Sequence, residues 1–195
     1  RRTGVPGTVM LTFDDGPDPD YTGRLLDLLK KEEVKAAFFV VTREAVKEEA
    51  LIDRMLSEGH VVGFHSMDHQ NAMVRGYLHT RKDFRTGSEF MKRKGISDIW
   101  YRPPWGLTNL FSWHLARKYG MKMVLWDVMA EDWERGATAG SIRKKCLSRV
   151  KDGSILCLHD GGRRTGGAPG APEKTLEALT YVIPALKEAG WRRQS

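Results

Sequence analysis

Cysteine is scarce in this sequence. There are two in 195 residues, Cys146 and Cys157, too few for a disulfide framework. Cys146 stands four residues after Ile142 and four before Val150, the spacing of one helix face. Cys157 sits inside the apolar run Ile155-Leu156-Cys157-Leu158. Both read as small buried side chains, neither a disulfide pair nor a nucleophile, and they leave the compartment open. Long apolar runs are missing as well. None approaches the roughly 20 residues that cross a bilayer, so no transmembrane segment is expected. The opening residues Arg1-Arg2-Thr3-Gly4-Val5-Pro6-Gly7 lack the apolar stretch of a signal peptide and lead directly into a strand-like run. The chain therefore reads as a trimmed domain, with any export signal or anchor lost. Internal repeats and linkers are also lacking, so residues 1–195 are expected to form one domain.

What is present is a formal net charge of +7, with 41% hydrophobic and 29% charged residues. That composition suits a single globular core. Basic residues cluster at Arg143-Lys144-Lys145, Arg163-Arg164 and Arg192-Arg193. These read as solvated faces and termini, or as an attraction to an acidic polymer such as an anionic cell wall. No helix-turn-helix, zinc-finger or aromatic RNA-binding pattern accompanies the charge, so nucleic acid is not an expected partner.

Strand-like and helix-like stretches alternate along the chain. Val9 to Phe13, Ala36 to Val41, Val61 to Phe64, Ile99 to Tyr101, Met123 to Trp126 and Ile155 to Leu158 read as six strands. Leu25, Leu26, Leu28 and Leu29 mark a helix, and further helices are expected over residues 44–58, 80–94, 110–119, 139–151 and 176–189, the last kinked at Pro184. Helices between near-continuous apolar strands imply βα units and a mostly parallel sheet. Periodicity alone fits both an open sheet and a barrel. The polar residues with chemical potential follow strands: Asp14 and Asp15, His65, Arg102, Asp127 and Asp132, then His159. Contributions from several strand ends favour a barrel with its site at the C-terminal face. A glycine- and proline-rich loop, Gly161 to Pro172, follows His159 directly and looks mobile.

His65-Ser66-Met67-Asp68-His69 places two imidazoles four residues apart. Alone that pair is weak evidence. With Asp15 on another strand-end loop it makes a two-histidine, one-carboxylate set that leaves coordination positions open. The absence of cysteine from the set argues against a closed structural zinc site. Asp14 and Asp15 repel each other, so one needs a neutralising partner. A metal on Asp15 and an arginine near Asp14 would leave Asp14 able to accept a proton. His159, ending an apolar strand, is a candidate general acid. His60, His79 and His114 read as structural or surface histidines, and Trp100, Trp113 and Trp126 as core.

Thr12-Phe13-Asp14-Asp15-Gly16-Pro17, His65-Ser66-Met67-Asp68-His69, Arg102-Pro103-Pro104-Trp105-Gly106, Asp132-Trp133 and Leu158-His159-Asp160 resemble, in order, the five motifs of the polysaccharide deacetylases, carbohydrate esterase family four or the NodB-homology domain. The resemblance runs from about residue 8 to the C-terminus. It implies a distorted (β/α) barrel with about seven βα units and parallel strands. Asp15, His65 and His69 would bind one divalent metal ion, usually zinc, with cobalt or nickel able to serve. Asp14 would be the general base with Arg102 as its ion-pair partner, and His159 the general acid oriented by Asp132. The backbone N–H of Trp105, at a position usually occupied by tyrosine, would help hold the oxyanion. Trp133 and Leu158 would wall the pocket for the acetyl methyl.

Three residues depart from the pattern. Phe64 stands where asparagine is usual and is expected to alter the surroundings of the metal site. Met129 replaces an acidic or small polar residue, and Cys157 replaces the usual leucine of the last motif. The implied activity is removal of N-acetyl groups from N-acetylhexosamine glycans, peptidoglycan or chitin-like, by a monomer acting outside the cytoplasm or at the cell wall. O-deacetylation of an acetylated polysaccharide and glycan binding without turnover are the alternatives. Asp14 and His159 together argue against mere binding, and the alternating βα pattern argues against an iron oxygenase on a double-stranded β fold.

Overall fold

The computed structural model describes residues 3–162 and 165–193, so the pair Arg163-Arg164 and the side chains of Arg192 and Arg193 lie outside the description. Seven strands form one curled sheet: β1 (Thr8–Asp14), β2 (Ala37–Val40), β3 (Val61–Phe64), β4 (Trp100–Tyr101), β5 (Lys122–Met123), β6 (Val128–Met129) and β7 (Ile155–His159). Their hydrogen-bonded order is β5-β4-β3-β2-β1-β7-β6, all parallel. Seven helices cover it: α1 (Thr22–Lys31), α2 (Thr42–Lys47), α3 (Glu49–Ser57), α4 (Tyr77–Arg93), α5 (Leu110–Lys118), α6 (Ala139–Arg149) and α7 (Ala171–Glu188). This is the distorted (β/α) barrel that the sequence implied. A short strand the sequence did not suggest, β8 (Arg192–Arg193), pairs with Thr8 and Val9 of β1.

Side-chain parity along the strands decides what faces the site. Successive strand residues point to opposite faces. Leu11 and Phe13 of β1, Phe38 and Val40 of β2, and Leu156 and Leu158 of β7 join the large apolar core, together with Leu26 and Leu29 of α1 and Val182 of α7. The alternate residues Met10, Ala37, Phe39 and Ile155 form a small second cluster inside the curl of the sheet, capped by Trp100, Val124 and Trp126. Asp14, Cys157 and His159 continue that inner parity toward the C-terminal ends of β1 and β7, where register pairs Asp14 with His159.

The apolar run Met123 to Trp126 is not one strand. Lys122 and Met123 pair with β4, and the Val124 N–H still donates to Tyr101 O at 2.9 Å. The chain then crosses to the other edge, where Val128 and Met129 pair with β7. Two sheet edges compete for one segment, and each takes a dipeptide. Asp127 serves this crossing and not the site: its carboxylate accepts from Ile155 N–H at 2.7 Å and from Ser154 Oγ at 2.9 Å.

The helix expected over residues 44–58 is two helices, interrupted at Glu48 (φ −114°, ψ 43°). The first is tied to a site loop through Thr42 and Arg43 N–H to Ser66 and Met67 O at 3.0 and 3.1 Å. The second buries Ile52 and Met55, and the bend lets both attachments form. Helix α7 begins at Ala171, five residues earlier than expected, and runs on through Pro184.

Phe64 also differs from expectation. It packs between Phe84 and Tyr101, with ring centroids at 5.6 and 5.5 Å, in the helix-facing core. A Cβ on Gly87 of α4 would meet its ring at 2.3 Å, so the glycine admits the phenyl ring. Phe64 faces away from the histidine-aspartate set. Trp113, read as core, is 54% exposed on α5, whereas Trp100 and Trp126 are half-buried. His79 and His114 are at the surface. His60 is structural: Nδ1 accepts from Ala36 N–H at 3.1 Å, and its ring stands edge-on to Phe38. Burial, helped by Lys35, pulls its pKa down to about 4. Cys146 and Cys157 are both buried and free.

Candidate active site

The loops after β1, β3, β4 and β7 meet at the C-terminal end of the sheet. A cleft of about 460 Å³ there is lined by Asp14, Asp15, His65, His69, Trp105 and His159, with Trp126, Met129, Trp133, Cys157 and residues 165–167 completing the wall. Several backbones around it hold left-handed conformations that non-glycine residues seldom adopt: Asp15 (φ 78°), Ser66 (68°), His69 (51°) and Trp105 (54°). Each costs about 1–3 kcal/mol, so the surrounding structure holds these side chains in place against a local preference.

Asp15 Oδ1 lies 3.4 Å from His65 Nε2 and 3.1 Å from His69 Nε2. His65 Nδ1 is 2.7 Å from the Arg102 carbonyl oxygen. A carbonyl can only accept, so Nδ1 carries the proton and Nε2 turns a lone pair toward Asp15. Oδ1 of Asp15 is buried with no hydrogen-bond partner among the described residues. Burial disfavours its charge, yet His69 and the charge of His159 hold the carboxyl well below the usual range. An ionised oxygen facing two imidazole nitrogens, with all three atoms within 4.8 Å of one another, is a donor set that needs a cation. The residues fit a divalent metal. The other oxygen, Oδ2, accepts from the Thr165 hydroxyl at 2.6 Å. Thr165 was not singled out in the sequence. Its signal was only that its loop follows His159 directly.

Asp14 is held separately. Arg102 Nη1 donates to Asp14 Oδ1 at 2.7 Å and lies 2.6 Å from Thr12 Oγ1. The guanidinium is fully buried, with its carbon 4.0 Å over the Phe39 ring and 5.4 Å from that of Trp126. Planar stacking is available to arginine and not to lysine. Asp14 Oδ2 remains for the cleft, where the Cys157 thiol donates to it weakly at 3.5 Å. Asp14, Cys157 and His159 also lie within 4.8 Å of one another, but Arg102 already supplies the positive charge there. Cys157 is no nucleophile: burial and the nearby Asp14 carboxylate push its thiol well above the ordinary range.

On the other wall, His159 Nδ1 is 2.8 Å from Asp132 Oδ1. Asp132 Oδ2 accepts from the His159 N–H at 2.9 Å and from Thr175 Oγ1 at 2.8 Å. Burial works against a charged imidazole, but Asp132 overcomes it, aided by Asp15 and Asp14, and raises the His159 pKa to about 9. Trp133 stands edge-on to His159, centroids 5.1 Å apart, and the exposed Trp105 ring lies 4.3 Å from that of His69.

Leu158 is the exception among the expected residues. It is fully buried in the helix-facing core, because strand parity turns it away from the cleft. Cys157, Trp126 and Met129 line the wall instead. Asp160 buttresses the Asp15-Gly16 turn from below. It accepts from Thr22 Oγ1 at 2.7 Å, and a Cβ on Gly16 would lie 2.3 Å from its Oδ2. Burial pushes its carboxyl up to about 7.

The sequence profile of the polysaccharide deacetylase family matches residues 1–124. A peptidoglycan-N-acetylglucosamine deacetylase of Bacillus cereus is 32% identical over 186 residues, spanning 94% of this chain and 84% of its own length. A chitooligosaccharide deacetylase of Bradyrhizobium is 32% identical over 195 residues, 96% and 89% of the two chains. The crystal structure of the Bc1960 peptidoglycan N-acetylglucosamine deacetylase superposes with a TM-score of 0.88 at 32% identity, covering 97% of this chain and 86% of that one. The chain belongs to the polysaccharide deacetylase family.

Proposed function

We propose that this chain hydrolyses the N-acetyl group of N-acetylhexosamine units in a glycan, of the peptidoglycan or chitin type, outside the cytoplasm. One observation carries the reading. A carboxylate held by a buried arginine and an imidazolium held by a buried aspartate stand within 4.8 Å of each other, beside a donor set suited to a metal. A binding module needs neither an acid nor a base, and the relatives named above are deacetylases of N-acetylated glycans.

Asp15, His65 and His69 would hold one divalent ion, zinc by analogy with the family. When bound it supplies Lewis acidity for the acyl carbonyl and for the attacking water. Asp14, its Oδ1 occupied by Arg102, uses Oδ2 to take the proton from that water. The Trp105 backbone N–H donates to the oxygen that becomes negative. His159 gives its proton to the departing sugar amine, and Asp132 keeps the imidazolium aimed and charged until then. Trp126, Met129, Trp133 and Cys157 exclude water around the methyl group. A second cleft of about 310 Å³ shares Asp15 and Thr165 with the first, and Arg43, Glu44, Lys47 and Asp68 line it. Its polar walls suit the hydroxyls of a neighbouring sugar, which supports an oligomeric substrate.

The test is acetate release from N-acetylglucosamine oligomers and from an O-acetylated xylan, with and without chelator. Chelator-sensitive release from the oligomers is the expected result. Release from the xylan alone would assign O-deacetylation, and release from neither would leave glycan binding.

A further inference from the structure

Two segments that flank the cleft, each with an exposed face, carry no acidic residue at all: 70–82, after His69, and 99–126, after β3 and α4. They are joined in space. Asn109 Nδ2 donates to the Arg75 carbonyl at 3.3 Å, and the Tyr77 and Phe111 rings meet at 5.6 Å. Their apolar side chains are exposed to an unusual degree. Val74, Leu78 and Leu110 are 75%, 76% and 81% accessible, and Met73 and Trp113 more than half. Contiguous aliphatic and aromatic exposure of this kind marks a contact surface.

Charge says what the contact is. On α4, Leu78 is followed on the same face by Arg81 and Lys82. On α5, Leu110 and Trp113 are followed by Arg117 and Lys118. Among the described residues, Arg75, Arg81, Lys82, Arg117 and Lys118 enter no ion pair. Several surface cations elsewhere are engaged, Arg93 and Lys94 with Glu49 and Arg149 with Glu131. Apolar tips backed by free cations, with exposed indole and phenol rings between them, match the headgroup and upper acyl region of a negatively charged bilayer. A sugar chain would use the rings but leaves Leu78, Val74 and Leu110 without partners. A soluble polyanion would use the cations alone.

We propose that the face formed by residues 72–82 and 107–118 docks this protein on an anionic lipid surface. Both segments begin at strand-end loops of the site, and the exposed Trp105 ring bridges the patch to His69. Docking there sets the mouth of the cleft beside the bilayer, and it does so whatever reaction the cleft performs.

The experiment is co-sedimentation of the full chain with vesicles of phosphatidylglycerol and phosphatidylcholine in equal parts, and with phosphatidylcholine alone. Binding to the mixed vesicles only is expected, with loss at high salt. L78E/L110E changes two side chains that lie mostly in solvent, so the thermal midpoint should stay put while binding falls by about a hundredfold. R117Q/K118Q should cost about fivefold per removed charge. Failure to bind the mixed vesicles, or equal binding to both vesicle types, would overturn the proposal. Full binding by L78E/L110E would reduce the attraction to charge alone, as toward an anionic wall polymer, and overturn it too. Self-association of the wild-type chain that L78E/L110E abolishes without vesicles would make a second copy the occupant.

Discussion

The hydroxyl of Thr165 donates a 2.6 Å hydrogen bond to Oδ2 of Asp15, across 150 residues of sequence. It leaves Oδ1 as the oxygen turned toward His65 and His69. Groups that orient a metal ligand in this way typically change affinity by about 10–100-fold when removed. Thr165→Val should therefore weaken divalent metal binding about tenfold or more, measured by competition with a chromogenic chelator. Unchanged affinity would leave the hydroxyl a loop anchor only.

Asp14 and Asp15 are neighbours with opposite expected signatures. Asp14→Asn should lower turnover by about 10²–10⁴-fold and keep the metal, since the Asp14 carboxylate is engaged by Arg102. The double change His65→Ala, His69→Ala should lose the metal and keep the fold. Elemental analysis of the purified variants decides. Metal lost from Asp14→Asn and kept by the double variant would exchange the assignments.

His159 should matter in proportion to the leaving group. His159→Ala should cost far more on an acetamide than on an activated acetate ester, whose leaving group scarcely needs a proton. Equal losses would make His159 a substrate-positioning residue.

The pH profile follows from the Asp132 pair. The His159 pKa is raised from 6.5 to about 9, so the acid form is present below that value and activity falls as pH rises through it. Asp132→Asn removes the main source of the rise and should move the alkaline limb to lower pH. The same shift contributes folding stability that is full below pH 6.5 and lost as pH rises through about 9. Thermal midpoints of the wild type and Asp132→Asn should therefore converge at high pH. An alkaline limb unmoved by Asp132→Asn would detach the limb from His159.

Gly87 offers a test of packing alone. Its Cβ would clash with the Phe64 ring at 2.3 Å, in the middle of α4 where alanine is otherwise preferred. Gly87→Ala should destabilise by about 1–3 kcal/mol, and Phe64→Leu in the same chain should recover part of that. Chemical denaturation of the four members of the cycle measures it. A neutral Gly87→Ala would mean that α4 can shift.

Some of this protein is written locally. The turn Asp14-Asp15-Gly16-Pro17, the histidine pair and the apolar strands are decided by residue type and spacing, so the parallel α/β class and the candidate site residues could be read in order along the chain. Side-chain parity is equally local: with Cys157 and His159 on one face of β7, Leu158 falls on the other, although the motif resemblance had placed it in the pocket wall. Other features depend on which partner wins. Residues 122–129 could have formed one strand, but two sheet edges each claim a part of them. Thr165, Thr175 and Asp160 carry no motif of their own. They matter because the fold sets a hydroxyl beside Asp15, another beside Asp132, and a carboxyl under Gly16. The exposure of Leu78, Leu110 and Trp113 is also tertiary. The sequence led to helices over residues 80–94 and 110–119 without saying which side chains stay outside, and only the packing of α4 and α5 fixes which apolar ones the core leaves uncovered.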